Sequence, residues 1–268
     1  MLRELNVHIL DAEGAGPAPT LVFAHGYGCD QSLWREVAQA LPRARRVLFD
    51  WPGAGGADPA AYDPQRHAAL DGYADDLLAL LAALAQHDAV VVGHSVAATI
   101  ALIAAAREPA RFGQLVLVAP SPCFINDPPD YQGGFDRAQL TELIEGLAEG
   151  QAAWSRAVAP VVMGNPERPA LSDRLADSFC AMDPVIALRW ARATFLSDIR
   201  ALVPQVAVPS LILQCQSDAL APQAVGDWLQ ARLPRSRLVP LQATGHCPHV
   251  SAPAEVAQVL DLWMDWRG

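Results

Sequence analysis

Lysine is absent from the 268 residues: every basic side chain other than histidine is an arginine, and basic residues number 19 against 29 acidic ones. The formal charge of −10, with no local basic patch, leaves nothing to hold a nucleic-acid duplex or an anionic membrane. Arginine-only usage carries no function by itself. Paired cysteine motifs are also missing. Cys29, Cys123, Cys180, Cys215 and Cys247 are odd in number and widely spaced, with neither C-x-x-C nor a zinc-ligand rhythm, which suits a reducing cytoplasm. "MLRELNVHILDAEG" lacks the basic start and apolar block of a signal peptide. It alternates apolar and polar residues from Leu5 to Ile9 and predicts a first strand instead. The charge-free stretch from Val90 to Ala106 is a poor membrane span, interrupted by Gly-His-Ser and alanine-rich in its second half.

Other absences narrow the chemistry. His8, His25, His67 and His87 form no metal-ligand spacing. "WPGAGGAD" has neither the Lys-Ser/Thr ending of a P-loop nor the glycine spacing of a dinucleotide fingerprint, and reads as a turn-rich connector. No internal repeat or low-complexity segment is evident. The expectation is a cytoplasmic protein with no metal, no organic cofactor, no nucleic acid and no membrane among its partners.

What is present is core-forming material, 52% hydrophobic residues, in an alternating order. "TLVFAH", "RRVLFD", "AVVVG", "QLVLVAP", "PSLILQC" and "SRLVPLQ" are short apolar runs bounded by Gly, Pro or Asp. Segments of helical period lie between them at Gln31 to Leu41, Asp71 to Gln86, Val96 to Arg107, Gln223 to Leu233 and Ala254 to Trp266. This is the βαβ pattern of a largely parallel sheet flanked by helices, an α/β fold. From Ser121 to about Arg200 the alternation stops. Amphipathic segments such as "RAQLTELIEGLAEG" and "DPVIALRWARATFL" follow one another, and predict a helical lid at the carboxyl edge of the sheet, where ligands usually bind. The division is 1–120 and 201–268 for the core and 121–200 for the lid.

"AVVVGHSVAAT" reads as strand, tight turn and helix. A nucleophile elbow needs small residues two positions before and after its serine. Gly93 supplies one around Ser95, and Ala97 stands where glycine is usual. Alone, G-x-S-x-A is more often an ordinary turn. Chain order adds weight: after the serine, "PSLILQCQSD" ends a strand and presents Asp218, and "LVPLQATGHCPH" ends the next and presents His246. A serine hydroxyl is a poor nucleophile until an imidazole takes its proton, and a carboxylate fixes the imidazole tautomer. Taken singly, Asp218 is equally well a cap for the following helix and His246 a loop histidine; jointly, in this order, they point to a triad. His246, directly after Gly245, is preferred as base over His249, which follows Pro248. "FAHGYGCDQSLW" offers a His25-Gly26 turn that can aim a backbone N–H at an oxyanion, so the amides of Tyr27 and Val96 are the expected donors. The competing reading is a plain glycine turn into a helix capped by Asp30.

"HGYGCDQSLW", "GHSV", "SPCFINDPPDYQGGF", "DPVIA", "VPSLILQC" and "GHCPH" occur in an order that resembles the α/β-hydrolases. The resemblance is strongest to the RsbQ-like stress-signalling group and extends to the plant karrikin and strigolactone receptors. It implies a four-helix lid over a small apolar pocket, a Ser95–His246–Asp218 triad, and pocket walls at Phe124, Phe135, Trp154 and Phe195. It also implies one of two roles. The first is hydrolysis of a small apolar ester or lactone. The second is an RsbQ-like regulator or receptor that binds or slowly converts a small hydrophobic signal and engages a sensor-domain, phosphatase-like signalling protein. Carbon–carbon bond hydrolysis by the same triad is a third reading.

Overall fold

Period-two alternation along the apolar runs decides the layers of this protein, whose computed structural model describes residues 1–14 and 18–264. The strands are β1 His8–Leu10, β2 Thr20–Ala24, β3 Arg45–Leu48, β4 Ala89–His94, β5 Phe112–Val118, β6 Ser210–Gln214 and β7 Ser236–Pro240. They form one sheet in the order β1-β3-β2-β4-β5-β6-β7, in which only β1 is antiparallel to its neighbour. Val22 and Val91 pair across β2 and β4, and Val91 with Leu115 across β4 and β5, so these side chains share one face.

That face carries Val22, Val91, Leu115 and Ile212 against helices α2 (Leu70–Ala83), α3 (Val96–Arg107) and α8 (Gln223–Arg232). The opposite face carries Phe23, Val90, Val92, Val116 and Leu213 against α1 (Arg35–Gln39) and the helix Pro253–Met264. The central strand β4 is buried along its whole length. Full burial of one such Val, Leu or Phe side chain is worth about 1.5–3 kcal/mol.

The charge-free stretch that includes α3 is a strand, a turn and a helix, and among the described residues no helix is long and apolar enough to cross a membrane. Small alanine side chains let α3 sit close to the sheet, with ten of its twelve residues buried. Expected and observed elements agree except at their ends. The first strand starts at His8 and not at Leu5, because Asn6 takes a positive φ of 47° and turns the chain, while Leu5 is buried in the core. The helix expected from Gln31 begins as a 3₁₀ turn, Gln31–Trp34, whose first amides are capped by Asp30 accepting from the Ser32 N–H at 2.7 Å. Of the helix expected from Ala254 to Trp266, residues 265 and 266 lie outside the described residues.

Between β5 and β6 the chain forms four further helices: α4 Arg137–Glu149, α5 Gln151–Met163, α6 Pro169–Ala181 and α7 Pro184–Phe195. Pro169 and Pro184 open α6 and α7, and Asp183 caps α7 by accepting from the Val185 and Ile186 amides. Their apolar faces meet in a separate cluster that includes Leu140, Trp154, Leu175 and Phe179, together with Cys29 and Cys247 from outside these four helices.

Candidate active site

Ser95 joins β4 to α3 with φ 56° and ψ −122°, a backbone conformation that costs a non-glycine residue about 1–3 kcal/mol. Its amide is held by the Val118 carbonyl of β5 at 2.9 Å. The turn is so tight that a Cβ on Gly93 would lie 2.7 Å from the carbonyl carbon and oxygen of Ala97. The strict demand for glycine therefore falls on position 93, while Ala97 keeps its methyl group in the core.

His246 Nε2 lies 2.7 Å from Ser95 Oγ, and His246 Nδ1 lies 2.8 Å from Asp218 Oδ2. The two expectations for Asp218 turn out to be compatible, one oxygen each. Oδ1 accepts from the Leu220 and Ala221 amides at 2.8 and 3.0 Å, and Oδ2 faces the imidazole. Burial pushes the carboxyl up, but the nearby His246 and these hydrogen bonds outweigh it and hold Asp218 below the usual carboxylate range.

The loop that carries His246 is gripped from two sides. The Gly245 amide donates to Ser217 O at 2.6 Å, and the His246 amide donates to Val162 O at 2.8 Å, near the end of α5. Gly245, at φ 82°, passes so close to α5 that a Cβ would collide with the Met163 carbonyl, and a Cβ on Gly164 would lie 2.8 Å from the Gly245 Cα. Asn165 bridges the contact by donating to Met163 O and Thr244 O.

Val96 is the first residue of α3, so its N–H has no acceptor within the helix and lies at the positive end of the helix dipole. The Gly26–Tyr27 peptide is fixed through its carbonyl, which accepts from the Cys29 amide at 3.3 Å and contacts His25 Nδ1 at 3.0 Å. Because Trp51 N donates to His25 Nε2 at 3.2 Å, His25 is a neutral Nδ1–H tautomer.

A pocket of about 480 Å³, its mouth included, opens over Ser95 and His246. Trp154, Phe195 and Tyr27 are among the residues that line it. Phe124 and Phe135 are not among the lining residues: Phe124 stands behind Phe195 at 5.2 Å between ring centroids, and Phe135 packs into the same apolar cluster. Sequence reasoning missed Leu143, Val158, Leu175 and Phe179, on α4, α5 and α6, and also Cys29 and Cys247. Burial pushes both thiols up, so they are protonated.

Three further imidazoles surround the site. His25, His94 and His249 are fully buried, and burial holds each below the ordinary histidine value, His94 at about 3. An unfolded chain takes up a proton on each near about pH 6.5 and the native protein does so only at lower pH, so the stability present above that pH is lost as the pH falls. The slope is at most about 1.4 kcal/mol per pH unit for each such histidine. Urea unfolding should show the midpoint dropping steeply from pH 7 towards 5; a flat midpoint would mean that these rings are charged in the native state.

The family model described as "Alpha/beta hydrolase family" matches residues 21–259. The chain belongs to that family. It is 37% identical over 257 residues to the karrikin insensitive 2 receptor CA of Petunia hybrida, covering 95% of this chain and 93% of the relative. With the strigolactone esterase D14 of Arabidopsis thaliana it shares 36% over 262 residues, covering 97% and 96%. Among solved structures, a hydrolase from Oleispira antarctica superimposes with a TM-score of 0.95 at 36% identity, over 99% of this chain and 96% of that one. An enol-lactonase from Burkholderia xenovorans, at 23% identity and a TM-score of 0.81, shares the fold. The expected α/β-hydrolase fold, the expected hydrolase class and the kinship with karrikin and strigolactone receptor hydrolases are all met.

Proposed function

We propose that this α/β-hydrolase cleaves a small apolar ester or lactone through an acyl-enzyme, with Ser95 as nucleophile, His246 as general base and Asp218 as its orienting acid. The observation that carries the reading is the unbroken relay from Ser95 Oγ through the His246 ring to Asp218, at 2.7 and 2.8 Å, at the floor of an apolar pocket. His246 Nε2 takes the Ser95 proton as Oγ bonds to the acyl carbon, and the carbonyl oxygen becomes an oxyanion facing the Tyr27 and Val96 amides. Collapse breaks the bond to the leaving oxygen, which receives the proton from His246. Water, deprotonated by the same imidazole, then releases the acid and restores Ser95. Asp218 holds the Nδ1–H tautomer and balances the imidazolium charge throughout.

In this reading α4 to α7, within residues 121–200, form the lid, and residues 1–120 and 201–268 form the core. The enclosed aromatic walls favour short acyl groups. Intact-mass spectra taken during exposure to a panel of short acyl esters and lactones should show a transient adduct, and emulsified long-chain triglyceride should be a poor substrate. An absence of adducts across the panel, or faster cleavage of triglyceride than of a soluble short ester, would sink the proposal. Trp154→Ala should change KM or acyl preference; a loss of stability alone would make Trp154 lid core.

A second reading rests on the similarity to a karrikin receptor at 37% identity. In it the same pocket converts a small hydrophobic signal slowly, and the lid engages a sensor-domain signalling partner. Rapid multiple turnover on simple esters favours the enzyme; a single slow turnover with a change in partner binding favours the receptor.

A further inference from the structure

His94 is used by no step of that reaction, yet it touches three of the segments that compose the site. Its Nε2 lies 2.8 Å from the backbone carbonyl of His246. A carbonyl only accepts, so Nε2 carries the hydrogen and Nδ1 is bare. The bare edge faces Gly26 in the turn before Tyr27, where a Cβ would come within 2.6 Å of Nδ1. One face of the ring is backed by His249 at 4.3 Å between centroids, and His249 is stacked in turn on Trp34 at 4.3 Å. Among the described residues neither ring nitrogen of His249 has a hydrogen-bond partner, and its ring contacts His94 and Trp34 as packing.

The Ser95–His246 distance depends on two segments 151 residues apart in sequence. Their side chains meet at the pocket floor, where an unsupported loop would let Nε2 drift by the fraction of an ångström that decides proton transfer. The His246 amide is tied to α5 through Val162 O, and its carbonyl is tied to the residue immediately before the nucleophile. We propose that His94 is a positioning residue, whose Nε2–H fixes the backbone of His246 and thereby sets the geometry between Ser95 and its base. This rests on the assignment of Ser95 and His246 above. Burial, which holds the ring neutral, supports it: with one hydrogen on the ring, that hydrogen stays committed to the His246 carbonyl.

The test has a wild-type arm and a matched pair of variants. Long-range ¹H–¹⁵N spectra of the wild-type protein between about pH 6 and 8 should show His94 as the Nε2–H tautomer; an Nδ1–H tautomer overturns the inference without any mutation. His94→Gln and His94→Met have similar shapes, but only the glutamine amide can donate where Nε2 did. Turnover of p-nitrophenyl acetate should recover to within about threefold of wild type in the glutamine variant. In the methionine variant kcat should fall roughly 10- to 100-fold with little change in KM. The low-field proton of the His246–Asp218 pair should stay sharp in the first and broaden in the second. Equal kcat in the two variants overturns the inference, and if neither variant folds the tautomer decides alone. A wild-type protein that forms no Ser95 adduct with p-nitrophenyl acetate would instead bring down the underlying assignment, and this inference with it.

Discussion

Ser95→Ala is expected to fold as the wild type does and to lose roughly 10⁴-fold or more of its esterase turnover. The folding half of this expectation follows from how the elbow is built. The unusual φ of 56° is imposed by backbone bonds that alanine keeps: the Ser95 amide on Val118 O, and the Ala98 amide on Ser95 O. Oγ contributes its contact to His246 Nε2 and borders the pocket at its floor, so its removal enlarges that pocket and leaves no separate enclosed void. The activity half follows because, among the described residues, no other hydroxyl in the pocket faces an imidazole as Ser95 does at 2.7 Å. The measurement is kcat/KM on a short ester together with the melting temperature. Near wild-type turnover would mean a different nucleophile, and the thiols of Cys29 and Cys247, which line the same pocket, would be tested next by alkylation.

Asp218→Asn should cost about as much, roughly 10⁴-fold in kcat, for a reason specific to the hydrogen bonds here. Two backbone amides, of Leu220 and Ala221, point at Oδ1 and require an acceptor. Asparagine has one acceptor oxygen, and these two donors claim it. Its NH₂ is then turned towards His246 Nδ1, where it needs an unprotonated nitrogen, so the imidazole hydrogen moves to Nε2. A base with its hydrogen on Nε2 cannot accept the Ser95 proton. The variant should therefore keep its fold and display His246 as the Nε2–H tautomer in ¹⁵N spectra. Combining it with Ser95→Ala should add little further loss, since members of one relay act as a unit. Independent, multiplicative losses would show that Asp218 acts elsewhere.

How much of the fold and of the site is legible in the amino-acid sequence differs by region, for physical reasons. Strands such as "AVVVG" and "PSLILQC" announce themselves because a parallel strand buried on both faces must be apolar throughout and must end in turn residues. The order of Ser95, Asp218 and His246 is readable for the same reason, since each follows a strand. The pocket wall is not. On α4 to α6 a residue facing the pocket and a residue facing the neighbouring helix are both apolar and share the same helical period. Nothing in the pattern separates Phe179, which lines the cavity, from Leu140, which belongs to the apolar cluster behind it. Phe124 and Phe135 illustrate the converse: both are aromatic and in the right segment, yet Phe124 packs against Phe195 and the half-buried Phe135 against the apolar cluster, and neither is among the lining residues. The motif around Tyr27 marks its amide and says nothing of its ring, which meets Trp154, Phe179, Trp190 and Phe195 at 5.7–6.4 Å between centroids, because those partners are distant in sequence.

The glycine pair at 164 and 245 makes the end of α5 and the turn before His246 a single mechanical joint, with each backbone filling the space where the other's side chain would be. Anyone transplanting a helical cap from a related hydrolase to alter substrate choice would be exchanging one half of that joint. A graft with matched pocket residues but a side chain at position 164 would push the turn aside and arrive with a correct cavity and a displaced His246. The transferable cassette is therefore discontinuous in the gene: the four helices must travel with residues 244–246.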